Sequence, residues 1–259
     1  MFEDIYHTYL LNENEKNRLE RYEGNEDWYH ASGAGLCSRK LYFESIAQVE
    51  PSNPPRSKSL RIMRLGTILH SEIQDALIYY NNIPSYNINN KKEKKEINSY
   101  KKKKVKFDIE GEITLPSFKV RGFYDVVSME SLGSETEPIV RLHDIKTIGS
   151  YPWKLRFSKT KKIESRHHYL QLGTYGLAVR EKHNRLDGMS LLYYNKDNSL
   201  LKEVEVPMSY IDNAKRYWYS INEEHSKGLP DFRIGTSPVS NWVCNYCQFH
   251  DHCQPPILV

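Results

Sequence analysis

Four cysteines set the tightest limit on how this chain can fold. Cys37 stands alone near the N-terminus, while Cys244, Cys247 and Cys253 fall within ten residues near the C-terminus. If one group holds all four, the 207 residue steps from Cys37 to Cys244 close into a loop, and the two ends of the chain meet. A disulfide framework suits short, exported, loop-rich chains. This chain has 259 residues, and its first residues, MFEDIYHTYLLNENEK, carry acids where a secretory leader carries basic residues and a long apolar stretch. Thiolates bound to a metal fit better, and the expected location is the cytoplasm. No apolar run approaches the roughly 18 residues of a membrane span, so no membrane partner is expected. The absence of a GxxxxGK[ST] segment removes a P-loop motor.

Hydrophobic residues make up 39% of the chain and charged residues 27%, which leaves room for a folded core. The net charge of +4 is unevenly spread. Lys91 to Lys106 holds nine lysines and two glutamates, a local +7, which leaves −3 on the rest. Residues 81–104 read as a flexible Lys/Asn-rich insertion. A cationic tether of that kind attracts polyanions.

Coarse periodicity gives the order of elements. Leu65 to Tyr80 reads as a helix, with Leu65, Leu69, Ile73, Ala76 and Tyr80 as its apolar stripe and His70 beside it. Val105 to Leu115, Lys119 to Val127 and Ile139 to Thr147 read as three strands of a meander. Ser165 to Arg180 reads as a helix, and Met189 to Tyr194 with Leu200 to Val206 as a hairpin. A last helix runs from Ser209 towards Lys227, followed by a loop-like tail. The expected class is α/β, a mixed central sheet flanked by helices.

Two acids stand out in the meander. Asp125 and Asp144 are equidistant from position 134.5, inside the turn Ser131 to Pro138. In an antiparallel hairpin they oppose each other on one face. Lys146, two residues past Asp144, projects from that same face. Opposed carboxylates repel unless a cation lies between them, and a divalent metal with Lys146 nearby supplies one. A solvated polar strand face is the plainer alternative. On the next helix His168, Gln171 and Tyr175 make a polar stripe about 60° wide, suited to an exposed face or to orienting a phosphate.

In order, the chain carries Gly66-Thr67-Ile68-Leu69-His70, then Gly122-Phe123-Tyr124-Asp125, then Asp144-Ile145-Lys146, then Gln171-Leu172-Gly173-Thr174-Tyr175. This series resembles the RecB-like branch of the PD-(D/E)XK nuclease superfamily over roughly residues 60 to 180. Tyr124 stands where that branch often has proline. The resemblance implies a restriction-endonuclease-like core and a metal-dependent DNA exonuclease. It assigns Lys146, Asp125 and Asp144 to catalysis. It also assigns His70, Asp125, Asp144 and the carbonyl of Ile145 to Mg²⁺ or Mn²⁺, and His168, Gln171 and Tyr175 to DNA.

Gly35-Leu36-Cys37-Ser38-Arg39-Lys40-Leu41-Tyr42-Phe43-Glu44 resembles the G-x-C-x-R-x-x-Y-(Y/F)-E stretch of the CRISPR-associated type-four Cas exonucleases and AddB-type nuclease domains. That likeness implies a [4Fe–4S] cluster on Cys37, Cys244, Cys247 and Cys253. Structural Zn²⁺ is the alternative, with His250 and His252 interleaved among the thiols. The expected organisation is one nuclease domain over 1–259, its segment 228–259 packing with the region around Cys37. The expected substrate is DNA, single-stranded or with free ends, in recombination, repair or CRISPR adaptation with protein partners. A catalytically weak DNA-end-binding or adaptor protein of the same fold is the rival reading.

Overall fold

β-Branched and aromatic runs at period two alternate with helical stretches, and each kind of run finds its partner in a layer. The computed structural model describes residues 1–22, 27–82, 105–131, 137–158, 165–233 and 241–253. The helices are α1 (Phe2–Tyr22), α2 (Ser38–Ser45), α3 (Ser57–Asn82), α4 (Ser150–Phe157), α5 (Arg166–His183), α6 (Ser209–His225) and α7 (Asn241–Asn245). The strands are β1 (Tyr29–His30), β2 (Val105–Leu115), β3 (Val120–Glu130), β4 (Ile139–Ile148), β5 (Gly188–Asn195) and β6 (Leu201–Val206). The chain divides into two compact units. One comprises Met1–Leu65, Leu115–Arg121 and Arg216–Val259, the other Gly66–Thr114 and Gly122–Lys215.

The second unit is built on a mixed sheet. β3 runs antiparallel to β4, β4 parallel to β5, and β5 antiparallel to β6, while β2 pairs with β3. Val126 pairs with His143 and Val127 with Leu142, a register centred in the turn between β3 and β4. Tyr124, Val126, Val127, Leu142, Ile145, Leu191 and Tyr193 are buried, as expected of strands covered on both faces. Helix α5 closes on the first turns of α6 through glycine. A Cβ on Gly173 would lie 2.2 Å from the Tyr210 carbonyl oxygen, and one on Gly176 2.9 Å from the Met189 sulfur. Asn184, left-handed at φ 51°, ends α5, with Arg180, Lys182 and His183 in its last turn.

The first unit has an aromatic core. Tyr29, Leu41, Trp218 and Ile221 are buried, and Tyr29 packs on Trp218 at 5.5 Å between centroids. Tyr29 Oη meets His225 Nδ1 at 2.8 Å, and Ser38 Oγ lies 3.0 Å from His225 Nε2 and bonds Glu224. Burial holds the His225 pKa below its ordinary range.

Several sequence expectations change. Asn81 and Asn82 belong to α3 rather than to an insertion, and Asn81 exchanges two hydrogen bonds with the Phe107 backbone. Residues 83–104, with nearly all of the lysine run, lie outside the described residues. The expected stripe on α3 is not its buried face: Leu65 is 43% exposed and Ala76 is exposed, while Gln74 is buried. Polar contacts override the apolar period there, because His70 and Gln74 bond to the sheet. Lys119 sits in a left-handed turn at φ 53° rather than in β3, and β3 continues to Glu130. Helix α1 is announced by no clean apolar period; Leu10 buries, and Arg18 ties the helix to Glu50 at 2.8 Å.

Candidate active site

The β3–β4 register carries Asp125 and Asp144 to neighbouring strands at the pair next to Val126 and His143. Both are buried, Asp144 to 1% exposure. The Ile145 amide donates to Asp125 Oδ2 at 2.6 Å. Lys146 Nζ forms an ion pair with Asp144 Oδ2 at 2.6 Å, and the buried Asp144 Oδ1 has no partner. Lys146 meets one oxygen, and a buried second oxygen with unmet lone pairs is costly unless a donor or a further cation completes it. Burial raises the Asp125 pKa well above the usual carboxylate range. The Asp144 charge adds to that, while Lys146 and the Ile145 amide oppose it.

Helix α3 brings a ridge of three residues, one turn apart, onto this face. Gly66 permits close approach, since a Cβ there would lie 2.8 Å from Thr147 Oγ1. His70 Nε2 bonds the Ile145 carbonyl and lies 3.5 Å from Asp125 Oδ2. Gln74 donates to Glu110 at 2.5 Å. His70, Asp125, Asp144, the Ile145 carbonyl and Lys146 are thus brought to one place within one unit.

Glu110 joins them and was missed from sequence. The ligand atoms of His70, Glu110 and Asp125 all lie within 4.8 Å of one another, the one such group of three His, Cys, Asp or Glu side chains among the described residues. Glu110 has left-handed backbone at φ 54°, costly for a residue with a Cβ. Its neighbour Gly111 leaves room for the Tyr124 ring, which would lie 2.0 Å from a Cβ there. The signal was available: Glu110 and Asp125 are equidistant from the Pro116–Lys119 turn, by the same rule that paired Asp125 with Asp144. Two carboxylates and an imidazole gathered in this way, with Asp144 and one carbonyl beside them, suit a hard divalent cation of the Mg²⁺ or Mn²⁺ kind.

The polar residues of α5 turn inward rather than forming an exposed stripe. Tyr175 is buried and accepts a hydrogen bond from Gln171 Nε2 at 2.9 Å. Burial raises the Tyr175 pKa, and the charges of Asp144, Asp125 and Glu110 add to it. His168 Nδ1 bonds Tyr193 Oη at 3.0 Å, and burial pushes its pKa down to about 2, with the charges of His167, Lys146 and Arg156 adding.

In the first unit Cys37 precedes α2, and Cys253 is buried with Phe43 and Phe249. Arg39 Nε donates to the Cys253 sulfur at 3.2 Å, and Asn53 bonds the backbone at Cys247 and Gln248. Cys247 is half-buried. Burial raises its pKa, and Cys37 and Cys253 are near enough for their charge to add. All four cysteines are free thiols.

No curated protein matches the chain in sequence. The solved structure of SSO0001 is 18% identical, with a TM-score of 0.47 over 97% of each chain. An alkaline exonuclease (LHK-Exo) from Laribacter hongkongensis is 12% identical, with a TM-score of 0.46 over 81% of this chain and 93% of that one. Among the described residues no helix is long and apolar enough to cross a membrane. Residues 83–254 match the family model of the PD-(D/E)XK nuclease superfamily. That match spans about two thirds of the chain and takes in Asp125, Asp144 and Lys146, so the chain belongs to the PD-(D/E)XK nuclease superfamily.

Proposed function

We propose that this protein is a divalent-metal-dependent DNA exonuclease of the RecB-like branch, acting on single-stranded ends, with a [4Fe–4S] cluster on Cys37, Cys244, Cys247 and Cys253. The observation that carries the nuclease reading is Asp144: fully buried, ion-paired to Lys146 through one oxygen with no partner on the other, and flanked by Asp125 and His70. His70, Glu110, Asp125, Asp144 and the Ile145 carbonyl would hold Mg²⁺ or Mn²⁺. When bound, such a cation neutralises phosphate charge and makes a water acidic enough to attack. Lys146 is held by Asp144 and would steady the attacking water or the charge that develops on the phosphate. Gln74 fixes the Glu110 carboxylate, and His70 is fixed through the Ile145 carbonyl. Tyr175 and Gln171 brace α5 beside the acids rather than reaching out to a base.

The preference for single-stranded ends and a role in CRISPR adaptation or repair rest on the motif series and the cysteine context. The cluster reading draws support from Arg39, whose side chain donates to Cys253 and to the Pro230 carbonyl at 2.7 Å. A donor of this kind stabilises thiolate charge. Zn²⁺ is the competing occupant.

The test is digestion of end-labelled single- and double-stranded DNA by the purified protein, with Mn²⁺, Mg²⁺ or chelator. Shortening from the ends of the single-stranded substrate, dependent on metal and lost in Asp144→Ala, is the expected result. Equal cleavage with chelator present, or in Asp144→Ala, overturns the reading.

A further inference from the structure

We propose that Arg156 forms a second phosphate subsite beside Lys146, which grips a backbone phosphate neighbouring the one that is cut. The proposal rests on the nuclease reading for the identity of the polyanion, and on separate observations for the site itself.

Arg156 is 3% exposed on α4. Its guanidinium carbon lies 4.3 Å from the ring centroid of Tyr193, 5.2 Å from Tyr169 and 6.0 Å from Phe157. Nη2 donates to Tyr169 Oη at 3.0 Å, yet Nε and Nη1 are buried and have no acceptor. Among the described residues no carboxylate pairs with it. A guanidinium always carries its charge and presents donors in its plane. Aromatic rings satisfy its faces, not its edges. Burying it with two edge positions unmet is costly and calls for an anion.

The placement says which anion. Tyr193 on β5 stands in register with Lys146 on β4, one strand spacing away and on the same face. Arg156, stacked on Tyr193, therefore lies next to the proposed catalytic lysine. His168 holds Tyr193 Oη, and its pKa is depressed chiefly by burial, with the charges of His167, Lys146 and Arg156 adding. His167, also depressed, is subject to the same two cations. Both histidines are thereby kept neutral, while Asp144 pairs with Lys146. His167 and His168, whose ionisation the Arg156 charge opposes, and Lys146 are each partly exposed. A phosphodiester, singly charged and rich in acceptor oxygens, can accept from Nη1 at the end of the guanidinium, or from Nε on the edge it shares with Nη2. An internal brace of the fold is the competing account.

The experiment measures equilibrium binding of a single-stranded oligonucleotide in chelator, so that no cleavage intervenes. Each phosphate in turn is replaced by a neutral methylphosphonate. In the wild-type protein one position beside the cut bond should lose about 10- to 100-fold in affinity. In Arg156→Gln that position should lose nothing further when neutralised. Arg156→Met, which fills the ring cage without charge, should behave in the same way while keeping the fold. Either folded variant retaining the full wild-type profile overturns the proposal and leaves Arg156 a brace. A wild-type profile without a sensitive position beside the cut bond overturns it with no variant needed. A wild-type protein that binds no oligonucleotide fails the nuclease reading as well, which separates the two.

Discussion

The raised pKa of Asp125 makes a prediction about stability that needs no substrate. Burial and the Asp144 charge hold its folded-state pKa well above the usual carboxylate range. In the unfolded chain an aspartate titrates near 4 (about 3.9). Between these limits the folded state binds a proton that the unfolded state has lost. The stabilising contribution is thus full below the unfolded value, and it is lost as pH rises through the folded one. One proton corresponds to about 1.4 kcal/mol per pH unit. For a chain of this size that is roughly 3–6 °C in Tm per unit. The depressed histidines His167, His168, His183 and His225 oppose this slope below about pH 6.5, because their charged form is disfavoured in the folded state. The informative quantity is therefore the difference between the wild-type protein and Asp125→Asn. Asparagine can still accept from the Ile145 amide, which donates at 2.6 Å. Melting both in chelator from pH 4 to 9 should show the wild type losing ground to the variant as pH rises. Adding Mg²⁺ should restore the wild type most at the high-pH end, because binding needs the ionised carboxylate. A difference that is flat with pH, or that grows in favour of the wild type, refutes the reasoning.

Further expectations follow from single contacts. Lys146→Ala should abolish cleavage while circular dichroism and DNA binding persist. Glu110→Gly should relieve the left-handed strain and stabilise the metal-free protein by about 1 kcal/mol, while weakening Mn²⁺ binding measured by calorimetry. Gly173→Ala should destabilise by about 1–3 kcal/mol in urea unfolding, because the added Cβ meets a backbone oxygen that cannot swing away. Replacing Cys37 or Cys253 by serine should bleach anaerobically purified protein and lower its iron and sulfide content. Colourless wild-type protein holding one zinc would assign the thiols to zinc instead.

The strands of the second unit are legible because period-two burial and turn residues agree there, and the hairpin rule places Asp125 opposite Asp144 from sequence alone. The same rule applied to the Pro116–Lys119 turn would have found Glu110, but nothing about a lone Glu-Gly in a strand draws attention to it. The face of α3 was misjudged for a physical reason: His70 and Gln74 turn to the sheet because hydrogen bonds hold them there, so apolar periodicity points elsewhere. The inward turn of Tyr175 and Gln171 was likewise hidden. A polar stripe reads as solvent-facing unless the acids it packs beside are already known. Arg156 carries no signal in sequence, since an arginine in KLRF looks like any surface cation until its rings close around it.

The two turns that align the acids differ in how much change they tolerate. Eight residues, Ser131 to Pro138, join β3 to β4, whereas only Pro116–Phe118 and Lys119 join β2 to β3. Lengthening an already long connection adds little closure entropy, so relatives are free to grow domains or recognition segments at Ser131 to Pro138 without moving Asp144 off Asp125. The short turn has no such slack. One residue gained there, if taken up into either strand, would swing Glu110 to the far side of the sheet. Lineages that vary the short turn should therefore have lost the third acid and found its charge elsewhere, while those that vary the long one keep it.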